Sequence, residues 1–245
     1  MTATQNAPRT ARERARVELT REIKEAARRQ LAATGADGIS LRAVARELGM
    51  ASSALYRYFP SRDDLLTALI IDAYDAIGEA AEQAIADEKP EESWGRDRWL
   101  AACHAIRRWA LAHPHEYALI YGSPVPGYRA PEATIGPAAR VPLAFASVLA
   151  AATAAGELGD DAGAHAGPDA DALADGLAKQ AEALSASVAS PVAPEVLVRA
   201  VIAWTQLFGM ISWELFGQFV GSFEPADALF AHAVAQLATF VGFPL

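Results

Sequence analysis

Apolar residues recur every three or four positions along almost all of this 245-residue chain, and nowhere alternate with the period of two that a half-buried strand needs. Residues 17–34 put Leu19, Ile23, Ala27 and Leu31 on one helical stripe, which Gly35 and Gly38 end. Ser40, a favoured N-cap type, precedes a short amphipathic helix bearing Leu41, Val44, Ala45 and Leu48, closed by Gly49. A third short helix over 51–57 is broken by Pro60. Ser61, with Asp64 three residues later, starts a long helix to residue 87 with Leu65, Leu66, Leu69, Ile70, Ala73 and Ile77 on its apolar side. Further helices are predicted over 94–112, around 117–121, and over 142–155, 169–188, 194–219 and 225–241, with Pro194 and Pro225 as first residues of the last two. Residues 122–136 and 156–168 read as loops. The expected fold class is all-α, with about nine or ten helices.

Hydrophobic residues make up 52% of the chain, enough for a sizeable core. No uninterrupted apolar run reaches bilayer-spanning length, so no membrane partner is expected. A single cysteine, Cys103, excludes an internal disulfide and makes the cytoplasm the default location. The net charge of −9 is unevenly placed. Residues 1–62 hold 12 Arg/Lys and 6 Asp/Glu, whereas residues 63–245 hold 9 and 24. A basic head on an acidic body directs a polyanion to the head.

Residues 40–66 carry the most specific chemistry. Two short helices with a glycine at the turn form a helix-turn-helix. The second helix of such a motif enters the DNA major groove N-terminus first, which requires small residues there. Ala51, Ser52, Ser53 and Ala54 meet that need; serine hydroxyls can pair with base edges, and alanine can touch a thymine methyl. Leu55 faces the other way and belongs with Val44, Leu48 and Phe59 in a core. Tyr56 and Tyr58 bring phenolic hydroxyls suited to phosphate oxygens, although Tyr58 also fits a core aromatic. Arg62 opens the next helix, where a cation and free backbone N–H groups can share a phosphate.

The segment resembles the DNA-binding motif of the tetracycline-repressor (TetR) family: Ala45 and Gly49 at the turn, then Leu55, Tyr56, Tyr58, Phe59, Ser61, Arg62, Leu65 and Leu66 at the family's spacing. The resemblance implies that Ser40, Tyr56, Tyr58 and Arg62 hold the DNA backbone. It also implies that Arg42, Ser52, Ser53 and Ala54 approach bases. Arg42 is the sharpest candidate for guanine, since a guanidinium fits O6 and N7 together; a plain phosphate contact is its other reading. The expected organisation is a basic arm over 1–15, a three-helix DNA-binding domain over 16–62, and a larger helical ligand-binding and dimerisation domain over 63–245.

The body also resembles actinobacterial-style TetR regulators with a WHG-type C-terminal domain. The resemblance lies in His113 to Tyr117, Tyr121 to Tyr128 and Phe208 to Gly217, and fails over 150–190. Such proteins pair as homodimers through their last two long helices, here about 194–219 and 225–241. Val198, Ile202, Gln206, Gly209, Trp213 and Phe216 suit that face. A dimer doubles the contacts of a short helix-turn-helix and reads a pseudo-palindrome. Trp99, Trp109, Tyr117, Tyr121, Trp204 and Phe208 are candidate walls for a small-molecule effector, with ordinary core packing as the other reading of each. His104, His113 and His115 lack metal-ligand spacing, and neither a metal nor a cofactor is expected. No nucleophile elbow, zinc-protease helix or phosphate loop occurs, so an enzyme is not expected. The partners expected are double-stranded operator DNA, a small-molecule effector and a second copy of the chain; the alternative is a constitutive or activating DNA binder whose body only dimerises.

Overall fold

The computed structural model describes residues 10–89, 95–158, 175–187 and 192–244. Among these there are ten α-helices and no strand. They are α1 (Ala11–Thr34), α2 (Leu41–Glu47), α3 (Ser52–Leu55), α4 (Arg62–Asp87), α5 (Gly95–Ala112), α6 (Pro114–Tyr121), α7 (Ile135–Ala155), α8 (Asp175–Ser187), α9 (Pro194–Leu215) and α10 (Asp227–Val241), with single 3-10 turns at Ala36–Gly38 and Glu132–Thr134. The described residues fall in two compact units. The first comprises residues up to Ala73 together with His115–Thr134; the second comprises Tyr74–Pro114 and Ile135 onward. The expected arm and loop residues 1–9 and 159–168, and the expected first residues of a helix over 169–174, lie outside the described residues.

In the first unit, α1 begins at Ala11 rather than at residue 17, so residues 11–15 are helical. The cause is a reciprocal capping box that the apolar pattern does not reveal. The Thr10 hydroxyl accepts from the Glu13 N–H at 3.2 Å, and the Glu13 carboxylate accepts from the Thr10 N–H at 2.7 Å. The stripe Ile23, Ala26, Ala27 and Leu31 packs against Leu41, Val44, Ala45, Leu55, Phe59, Leu65, Leu66 and Leu69 in one buried cluster. Each fully buried leucine or isoleucine there contributes about 1.5–3 kcal/mol. Polar contacts surround this cluster. Asp72 on α4 accepts from Lys24 at 2.8 Å and also from Arg28, both on α1. Arg28 lies 3.4 Å from Glu116 as well, and the Thr67 and Tyr128 hydroxyls hydrogen-bond at 2.9 Å.

In the second unit, α5 packs against α7, α9 and α10, and α9 against α8 and α10. Helix α7 starts at Ile135, seven residues before the predicted start, and holds Pro142 in its interior. A proline there removes one helical hydrogen bond. Burial of Val141, Phe145, Val148 and Leu149 offsets that loss, and Arg140 anchors the early turns. Its guanidinium donates to the Glu82 carboxylate at 2.9 and 2.6 Å and to the Asp75 carboxylate at 3.0 Å. Helix α9 starts at Pro194 as predicted but stops at Leu215, and α10 starts two residues after Pro225, whose peptide bond with Glu224 is cis. Two helical stretches, Glu132–Ala155 and Pro194–Leu215, are long and apolar enough by length and composition to cross a bilayer. This differs from the expectation, because a spanning helix tolerates a few polar residues that interrupt a strict apolar run. Core helices of a globular protein meet the same test, and both stretches bury one face here.

Candidate functional site

The helix-turn-helix is built from the inside out. Leu41, Val44 and Ala45 on α2 and Leu55 on α3 point into the core of the first unit. The chain reverses at Gly49, whose φ of +65° is costly for any residue with a Cβ. The Gly49 N–H donates to the Arg46 carbonyl at 3.2 Å, and the Met50 N–H to the Ala45 carbonyl at 2.8 Å, so α2 ends in a closed turn. With Leu55 fully buried, Arg42, Arg46, Ser52, Ser53, Tyr56 and Arg57 are left exposed. Helix α3 is one turn long, shorter than the predicted 51–57. Past Leu55 the chain continues as turns, with the Tyr58 and Phe59 N–H groups both donating to the Leu55 carbonyl, at 2.8 and 3.1 Å.

Four of the eight expected DNA-contacting residues share one surface cleft of about 300 Å³. Ser40, Arg42, Tyr56 and Arg62 line it, together with Ile39, Leu41 and Ser61. Ser40 does not cap α2 with its side chain; its backbone N–H donates to the Gln30 carboxamide oxygen at 3.2 Å. Ser61 caps α4 instead, accepting from the Asp64 N–H at 3.1 Å and donating to the Asp64 carboxylate at 2.7 Å. Arg62 is already engaged. Its guanidinium donates to the Ala36 carbonyl at 2.8 Å and the Ile39 carbonyl at 3.3 Å, and sits 3.9 Å from Asp37. It therefore ties the segment before α2 to the start of α4, and only part of its cationic surface faces the cleft.

Ser52, Ser53 and Ala54 lie outside the cleft at the start of α3, the two serines exposed and Ala54 half-buried. Tyr58 is half-buried against the core, with the Arg16 guanidinium 6.0 Å from its ring centroid. Gln30 and Arg16, which position Ser40 and Tyr58, escaped the sequence reading. Both contacts join α1 to segments more than nine residues away, and no local spacing announces them.

The six aromatic candidates divide between the two units. Tyr117 and Tyr121 pack on each other at 5.2 Å in the first unit. The other four belong to the second. Trp99 and Trp204 wall a cavity of about 360 Å³ between α5, α7, α8 and α9, with Phe145, Leu149, Leu197 and Val201 among the other lining residues. Phe145 joins the two indoles, its ring centroid 4.5 Å from Trp99 and 6.1 Å from Trp204. Phe208 stands behind Trp204 at 4.7 Å, and Trp109 stacks on His113 at 5.1 Å; neither is a wall residue. Phe145, Leu149 and Leu197 are aliphatic or aromatic core residues by pattern, and only the packing of α7 and α9 on α5 marks them as lining.

Two groups in this unit invite a chemical reading and do not support one. Burial pushes the Cys103 thiol well above the usual thiol range, so it stays protonated and is no nucleophile. His104 is shifted below the usual histidine range, first by burial and then by the neighbouring Arg108 and Arg107. Among the described residues no three His, Cys, Asp or Glu side chains converge to hold a metal ion.

Comparison with known proteins matches both halves of this architecture. A family model described as "Bacterial regulatory proteins, tetR family" covers residues 23–69, and one described as "Tetracyclin repressor-like, C-terminal domain" covers residues 99–237. The HTH-type transcriptional regulator Rv1816 of Mycobacterium tuberculosis is 40% identical over 206 residues, 84% of each chain, as is the regulator Mb1846 of Mycobacterium bovis. The crystal structure of a regulatory protein, SCO4313, superposes with a TM-score of 0.71 at 36% identity, covering 93% of this chain and 98% of that one. A TetR-family transcription regulator from Shewanella sp. PV-4 shares the fold with a TM-score of 0.58 at 17% identity, covering 92% and 98% of the two chains. With the helix-turn-helix and the helical body both matched, the chain belongs to the TetR family of helix-turn-helix transcriptional regulators.

Proposed function

We propose that this regulator is a homodimeric repressor that acts in the cytoplasm and leaves a palindromic operator when a small, largely apolar or aromatic effector binds. The observation that carries the reading is the outward polar set of the helix-turn-helix. Burial of Leu41, Val44, Ala45 and Leu55 holds Arg42, Ser52, Ser53 and Tyr56 at the surface of a rigid core. Ser40, Tyr56, Tyr58 and Arg62 take the backbone phosphates in this reading, and Arg42, Ser52, Ser53 and Ala54 the base edges. A single one-turn α3 offers few contacts, so affinity and specificity require two copies on successive half-sites.

The second copy is supplied through α9 and α10. Ile202, Gln206, Gly209 and Trp213 on α9, and Phe216 just past its end, recur with alternating steps of four and three, and all are exposed in the single chain. That spacing makes one continuous seam, suited to a two-fold related helix. The effector enters the second unit, and α4 belongs to both units. An effector represses binding only to the extent that it prefers the DNA-incompetent state.

Selection of bound duplexes from a random DNA pool tests the reading. One inverted repeat, with half-sites a helical turn or a multiple of it apart, is the expected product. Release of that duplex by a compound that binds the protein completes the repressor reading; binding without release leaves the constitutive or activating alternative.

A further inference from the structure

Helix α1 outruns the core it packs on. Residues 11–18 are all exposed, and the first fully buried residue of the helix is Ile23. Two helical turns therefore stand beyond the cluster that holds the first unit together. Turns that bury nothing fray readily, because most helical stability comes from packing. Here the reciprocal cap between Thr10 and Glu13 holds them in place.

The side chains on those turns continue the core-facing stripe. At 3.6 residues per turn, Arg12 and Arg16 lie within about 20° of Ile23 around the helix axis, between the lines of Leu19 and Ala27. The stripe thus changes from apolar to cationic where the core ends, whereas Arg14 falls on the opposite side of the helix. No carboxylate answers the two charges. Glu13 accepts from the Thr10 N–H, Glu18 is paired with Arg21, and neither Arg12 nor Arg16 has an ion-pair partner among the described residues.

Arg16 also borders the DNA-facing surface. Its guanidinium lies 6.0 Å from the ring centroid of Tyr58, two residues past the exposed Tyr56. Arg12 is one helical turn further out, about 6 Å along the axis.

We propose that Arg12 and Arg16 form a second DNA-contacting surface, which binds backbone phosphates flanking the half-site that α3 reads. The inference rests on the reading of the helix-turn-helix as the operator-binding element, and extends its footprint. Two guanidinium groups without a counter-charge fit the oxygens of a polyanion, and phosphate contacts carry no sequence information. The surface therefore adds affinity and salt dependence, and leaves base preference to Arg42 and the α3 serines.

Operator titrations of the full chain between 50 and 200 mM salt test this, on duplexes that keep about one helical turn of DNA on each side of the selected repeat. Each phosphate contact contributes about 0.9 to the slope of log affinity against log salt. Arg12→Gln and Arg16→Gln should each lower that slope by about 0.9 per head, so that with two heads bound the advantage of the unaltered chain shrinks about tenfold across this salt range. Arg14→Gln, an equal change in charge on the far side of α1, should leave the slope as it is. Trimming the duplex to the repeat alone should weaken the unaltered chain and narrow its advantage over the two variants. Scrambling the flanks at fixed length should change nothing. The Arg12 side chain makes no hydrogen bond or ion pair among the described residues, so Arg12→Gln carries the test if loss of Arg16 disturbs Tyr58 and the fold. An unchanged slope in Arg12→Gln, an equal fall in Arg14→Gln, indifference to trimming, or dependence on flank sequence overturns the proposal. Loss of all duplex binding by the unaltered chain removes the helix-turn-helix reading and this proposal with it. Tight binding of the trimmed repeat, undiminished, keeps that reading and removes only the α1 surface.

Discussion

Arg107 on α5 and Glu214 at the end of α9 form a two-pronged ion pair, with Nε 2.7 Å from one carboxylate oxygen and Nη2 2.6 Å from the other. The remaining prong of the guanidinium reaches Asp227 in the first turn of α10 at 3.0 Å, and the cation lies 4.9 Å from the Phe230 ring. Three helices are thereby clamped at one point, and the pairing raises Arg107 above even the usual guanidinium range. Arg107→Met is expected to leave Glu214, 17% exposed, without its partner, and to lower stability by about 3 kcal/mol. Urea unfolding checks this. Arg107→Lys should recover only part of the loss, because an ammonium cannot repeat the fork.

Acid should weaken the second unit. His104 is shifted below the ordinary histidine range by burial and by Arg108 and Arg107, so the unfolded chain binds its proton more readily than the folded one. That contribution is absent well above the ordinary value of 6.5 and grows unfavourable as pH falls below it. Asp227 and Glu82, held low by Arg107 and Arg140, act in the same direction at lower pH, since their stabilisation is present above the unfolded carboxylate range and lost as pH falls through the folded one. Denaturation midpoints at pH 7.5, 5 and 3 should decline in that order, the first step spanning the histidine range and the second the carboxylate range. His104→Gln should flatten the first step and leave the second.

Two glycines should respond to alanine for opposite reasons. A Cβ at Gly49 meets nothing within 4 Å, so Gly49→Ala pays only for its left-handed backbone, about 1–2 kcal/mol, and should loosen operator binding by disturbing the turn. At Gly95 a Cβ would stand 2.8 Å from the Phe243 ring, 2.8 Å from the Glu157 carboxylate and 2.9 Å from the Ala152 Cβ. Gly95→Ala should cost about 1–3 kcal/mol by overpacking, with operator affinity of the folded protein unchanged. Thermal unfolding and operator titration together separate the two.

Within the helix-turn-helix, Arg42→Ala should relax preference at one base pair of each half-site, worth roughly 1–3 kcal/mol of discrimination. Tyr56→Phe should weaken all sequences alike, because phosphate contacts carry no sequence information. Competition binding against single-base operator variants distinguishes the two patterns. Uniform loss in both variants would assign Arg42 to a phosphate.

Trp213 is 58% exposed and Ile202 43% exposed on the α9 seam. Ile202→Glu with Trp213→Glu should convert the proposed dimer to a monomer in analytical ultracentrifugation and abolish tight operator binding. Helical content should persist, because neither side chain belongs to the chain's own core.

The sequence by itself determined what depends on neighbours a few residues away. Stripes of Ile23, Ala27 and Leu31, the turn at Gly49, the Ser61 cap on Asp64, and the start of α9 at Pro194 all follow from spacing and from the conformational limits of glycine and proline. For the same reason the cleft residues Ser40, Arg42, Tyr56 and Arg62 were legible, since a short motif of fixed spacing carries them. Tertiary structure alone decided what depends on distant partners. It carried α7 through Pro142, because buried Phe145 and Leu149 and the anchor of Arg140 on Glu82 outweigh one missing hydrogen bond. It turned the Arg62 guanidinium back onto the Ala36 and Ile39 carbonyls. It also set Trp99 and Trp204, which look like any other aromatic in the sequence, around a cavity, and packed Tyr117 against Tyr121. Aromatic side chains pack equally well into a core or a cavity wall, and only the placement of α5, α7, α8 and α9 around them distinguishes the two.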